Sequence, residues 1–69
     1  MERAARVVDK WFQRMELEHK NAAEQPVYSL LLRACDFSRP LESRQQALRE
    51  SFALDAELST QLAAALSLD

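Results

Sequence analysis

None of the 69 residues is glycine, although average usage of about 7% would place roughly five in a chain of this length. Glycine takes positive φ without steric penalty, so hairpin turns, bulges and left-handed helix caps rely on it. A chain without it is poorly equipped for tight β-hairpins and reads as all-α, with helices joined by ordinary short connections. Ala, Leu, Glu, Gln and Arg, all strong helix formers, dominate, and the two prolines, Pro26 and Pro40, stand where helical patterns restart. The expectation is one helical domain over residues 1–69, a small bundle of about four short helices.

The first helical pattern covers 2–23, with Ala5, Val8, Phe12, Met15, His19 and Ala22 at alternating spacings of 3 and 4, the seam of a heptad. Ala4, Val7 and Trp11 form a second apolar stripe beside the first half of that seam, and Leu17 falls off it. Gln25-Pro26 ends the pattern, because the residue before proline is pushed out of the α region. The second helix, 26–36, has only Ser29, Arg33 and Asp36 as a polar stripe, so it is expected to be central and the most buried. A third follows over 40–52, starting at Pro40 or, by the Ser43-x-x-Gln46 capping box, three residues later. Asp55 suits the N-cap of a fourth, 55–67, whose stripe is Leu58, Leu62, Ala65 and Leu66.

A chain of 69 residues lies near the lower limit for a self-sufficient core. Cys35 is the only cysteine, which rules out an internal disulfide and points to a reducing, cytoplasmic setting. One His and one Cys cannot close a structural zinc site. The longest uncharged run, Leu58 to Leu68, is 11 residues, too short for a membrane span. With 9 basic and 11 acidic residues the net charge is −2, which disfavours nucleic acid as a partner. Association with a second chain is the support that remains, most simply a homodimer.

Glu16 and His19 have the Glu-x-x-His spacing of one half of a di-iron site, but a full site needs two such motifs and two further glutamates. No metal and no cofactor is therefore expected, with a dimeric di-metal bundle as the third reading. Cys35 and His19 carry no flanking signature of a nucleophile and base, and four short helices leave little room for a catalytic pocket, so no enzyme is expected. Tyr28-Ser29-Leu30 lacks the aspartate of the carrier-protein Asp-Ser-Leu motif. The stretch from Asp55 to Leu68 has no basic residue, so it does not suit a recognition helix; a nucleic-acid-associated regulator is the second reading.

The first reading is a small, non-enzymatic interaction or regulatory subunit that self-associates through its helical surface. Trp is the residue type most enriched at binding hot spots, and it sits with Ala4 and Val7 on the surplus stripe. The uncharged fourth helix offers Ser59, Ala63, Ala64 and Ser67, small enough for a close helix–helix approach. These seven residues are the expected partner-binding set.

Overall fold

A computed structural model describes residues 2–68. The protein is all-α: α1 (Glu2–Leu17), α2 (Pro26–Ala34), α3 (Leu41–Phe52) and α4 (Ala56–Leu66), with one 3-10 turn at Ala22–Glu24 between α1 and α2. Both prolines act as expected. Pro26 opens α2 after Gln25, whose extended backbone (φ −74, ψ 137) breaks the preceding turn. Pro40 precedes α3 directly, so Ser43 lies inside the helix and the Ser43–Gln46 capping box is not used. Asp55 caps α4, its Oδ1 accepting the Leu58 amide at 3.0 Å.

The helices pack in the spatial order α1, α4, α3, α2. Aromatic rings join the ends of this series: Tyr28 of α2 stacks on Trp11 of α1 (centroids 6.4 Å, 19° between planes) and meets Phe12 edge-on at 6.1 Å. α2 buries Val27, Leu31 and Ala34 along α3 and leaves Leu32 about half exposed. The deepest side chains are Ala34 of α2, Ala47 and Ser51 of α3, and Ser59 and Leu62 of α4. Small residues let the backbones of α3 and α4 approach closely. They also turn α4 so that Ser59 and Ala63 are buried with Leu58 and Leu62, while Ala65 and Leu66 are only partly covered.

Close approach brings the Ser51 and Ser59 hydroxyls to 2.6 Å. Ser51 gives its one proton to the Leu48 carbonyl, also at 2.6 Å, so Ser59 must be the donor between the two hydroxyls. Ser51→Ala would leave the Ser59 hydroxyl buried without its acceptor, at an expected cost of about 1–2 kcal/mol, whereas Ser59→Ala leaves Ser51 paired and should cost less. The double variant should cost less than the sum of the two. Chemical denaturation of the three proteins checks this order.

The main departure from the sequence expectation is at the end of α1. The helix stops at Leu17, not at residue 23, and His19 takes the left-handed conformation with φ 58. The Lys20 amide donates to the Met15 carbonyl (2.8 Å) and the His19 amide to that of Glu16 (3.1 Å), the two bonds of a Schellman cap. Asn21 then starts the 3-10 turn, its Oδ1 accepting the Ala23 amide at 3.0 Å, a local bond that competes with helix continuation. α4 ends the same way: Ser67 has φ 55, and both the Ser67 and Leu68 amides reach the Ala63 carbonyl, the latter at 3.2 Å. The glycine-free chain thus builds two left-handed caps from His and Ser. A side chain at such positions carries a steric penalty, so His19→Gly and Ser67→Gly should each stabilise by about 0.5–1 kcal/mol. Together they should raise the melting temperature by about 5–10 °C. Unchanged melting would mean that contacts of the two side chains offset the backbone cost.

Candidate partner-binding surface

α1 has two apolar faces, and the structure turns inward the one expected to be surplus. Trp11 (4% exposed), Ala4 and Met15 are buried, with Val7 and Val8 partly so. Ala5 and Phe12 of the expected seam are exposed. Placing the large indole inside removes the most apolar area from water, and Phe12 keeps partial cover through Trp11 (5.2 Å) and Tyr28. Of the expected partner-binding residues, Ala4, Trp11, Ser59 and Ala63 are therefore core residues, buried within a single chain. Ser67 is the left-handed cap of α4. The uncovered stripe that led to a homodimer is covered by α4 of the same molecule.

Val7 and Ala64 are the exceptions, and the structure brings them together. Between α1 and α4 lies a depression of about 360 Å³ bounded by Arg3, Arg6, Val7, Gln61, Ala64 and Ala65. A second, of about 210 Å³, shares Val7 and Gln61 and continues past Lys10 and Trp11 to Arg14, Glu57 and Leu58. The two form one trough along the α1–α4 seam. Its floor is apolar at the Val7, Ala64 and Ala65 end, its α1 wall is basic, and its α4 wall is uncharged from Gln61 to Ala65 and acidic at Glu57.

The basic wall follows from helical spacing. Arg3, Lys10 and Leu17 repeat every seven residues and so fall in one column, with Arg6 and Arg14 beside it, while Asp9 and Glu16 form a separate column about 100° away. Charge segregation along α1 was legible in the sequence as these two heptad columns, but only the packing of α4 shows which one borders a groove. Arg14 is already engaged, its Nη2 3.1 Å from Asp55 Oδ2 and its Nε 3.6 Å from Glu18. Arg3 and Lys10 make no ion pair among the described residues.

The titratable groups noted in the sequence lie elsewhere. Glu16 is on α1, but His19 is beyond the helix end and exposed, so the pair does not share a helix face and the i,i+3 geometry of a di-iron half-site is lost. No group of three or more His, Cys, Asp or Glu side chains placed to hold a metal occurs among the described residues. Cys35 caps α2, and burial pushes its thiol pKa up, partly opposed by the nearby Arg44 charge. The Asp36 carboxyl is held below its ordinary range, first by the Ser38 hydroxyl, which donates to Oδ1 at 2.5 Å, and then by the Ser38 amide.

Arg44 reads from the sequence as a surface charge of the third helix, yet it is buried. Its Nε donates to the Ala34 carbonyl at 2.9 Å and its guanidinium lies 4.1 Å above the Phe37 ring. Buried Nη2 has no partner among the described residues. The side chain closes the carbonyl end of α2, where helix dipole and unpaired carbonyl both favour a cation. Its role is to tie α3 to α2.

No protein family model, curated protein or solved structure matches this chain. No helix among the described residues is long and apolar enough to cross a membrane.

Proposed function

We propose that this chain is a small, non-enzymatic interaction module that presents the α1–α4 trough to another protein. The observation that carries this reading is the apolar floor of Val7, Ala64 and Ala65, left open where two helices would otherwise close their seam. Helix-in-groove binding uses such a surface, with small side chains setting the depth and flanking charges setting the orientation. The expectation of self-association loses its basis once Trp11 is satisfied inside the chain, and the partner is a different molecule. The raised Cys35 pKa and the separation of His19 from Glu16 add no support for catalysis or metal chemistry.

The reading is tested by placing a photo-crosslinking amino acid at Ala64, and separately at exposed Ser29 on α2, in the protein expressed in its own cells. One adduct of defined mass from position 64, absent from position 29 and lost when Val7→Glu is added, is the expected result. Adducts that are equal at both positions, or none at either, would contradict it.

A further inference from the structure

The trough is basic along its α1 side, and this restricts what fits it. Arg3, Arg6 and Lys10 line its α1 edge, and the facing stretch of α4 offers uncharged Gln61, Ala64 and Ala65, with Glu57 as an acidic residue at the Lys10–Arg14 end. At the far end of the same column stands Leu17, 81% exposed and the most exposed large apolar side chain described. From Arg3 to Leu17 the column is about 21 Å long, close to four helical turns. The surface is thus an apolar floor flanked by Arg3 and Arg6, then Lys10, with the apolar Leu17 knob at the far end.

Resting on the interaction reading above, we propose that the occupant is an acidic amphipathic helix of another protein, its apolar face on Val7, Ala64, Ala65 and Leu17 and one edge of Asp or Glu along Arg3, Arg6 and Lys10. A second copy of this chain does not fit, because a two-fold axis through the trough would set the cationic row against itself. Nucleic acid uses the cations but has no group for the apolar floor or for Leu17, and the chain as a whole carries −2. Like-charge contact penalises basic partners while the acidic edge is steered in, so charge here selects the partner more than it adds affinity.

The test uses two synthetic helical peptides of about 18 residues, both with Leu and Ala on one face, one with Glu along the edge and one with Lys. Each is titrated into the labelled 69-residue chain and followed by amide chemical shifts. The Glu peptide should shift Val7, Gln61, Ala64 and Ala65, bind about tenfold or more tightly than the Lys peptide, and weaken as salt is raised. Arg3→Glu with Lys10→Glu, both on the surface, should reverse that preference without changing the helical circular dichroism. Equal binding of both peptides in the trough would overturn the acidic assignment and leave the interaction surface standing. No shift in the trough with either peptide would overturn both. Shifts confined to Arg3, Arg6 and Lys10 on adding a DNA duplex, with none from the Glu peptide, would replace the proposal with nucleic-acid binding.

Discussion

Trp11→Ala is expected to leave most of the protein unfolded, at any protein concentration. The indole is 4% exposed and is the hub of the aromatic contact between α1 and α2, edge-on to Phe12 and stacked on Tyr28. Truncating a buried Trp to Ala costs about 3–5 kcal/mol, through lost transfer energy and the cavity left behind. A domain of this size nets about 3–5 kcal/mol from its own core, so the loss consumes the whole margin. Trp11→Phe keeps a ring in contact with Tyr28 and should lose only part of it. Far-ultraviolet circular dichroism at two concentrations about a hundredfold apart checks both points: helical signal should be lost from Trp11→Ala equally at each. Recovery of structure at the higher concentration would instead place the indole between two chains.

Arg44→Ala is the second large effect, about 2–3 kcal/mol of destabilisation. The Ala34 carbonyl would lose a charge-assisted donor at 2.9 Å, and Phe37, already about half exposed, would lose the guanidinium stacked on it. The buried unpaired Nη2 works in the other direction, so the net cost stays below that of a fully satisfied buried arginine. Arg44→Lys keeps the positive charge near the end of α2 but not the planar group over Phe37, and should lose about half as much stability. Thermal unfolding of the two variants, with hydrogen exchange at the Cys35 and Asp36 amides, separates a local opening of the α2–α3 connection from global loss. Equal stability of wild type and Arg44→Ala would contradict the role of Arg44 as the tie between α2 and α3.

Punctuation is legible in the sequence wherever it rests on one residue's backbone chemistry. Pro26 and Pro40 restrict the residue before them and lack an amide proton, and Asp55 has the short carboxylate of a good cap, so three helix starts were legible locally. The end of α1 was not legible, because His19 and Ala22 continue the 3,4 spacing of the seam and no glycine marks a stop. Two Schellman bonds and the Asn21 turn stabilise His19 in the left-handed conformation, and neither is visible in a hydrophobic pattern. The choice between the two faces of α1 was also beyond local reading: the stripes of Trp11 and Phe12 lie side by side, and only α4 and Tyr28 decide which goes inside. For the same reason the expected surface divided, with Ala4, Trp11, Ser59 and Ala63 becoming core and Val7 and Ala64 remaining at the trough. The position of α2 followed the same logic. Its apolar circumference marks a helix packed on several sides, but which residues face α3 and which, like Leu32, face outward is decided by the packing of its neighbours.

The central claim is that one chain satisfies its own core and leaves the α1–α4 trough for a different partner. Sedimentation equilibrium over a hundredfold range of concentration, with melting followed on the same samples, tests it most directly. A single species of 7.9 kDa whose melting temperature does not change with concentration is the predicted result. A species of twice that mass, melting higher as concentration rises, would contradict it and return Trp11 to an interface between copies.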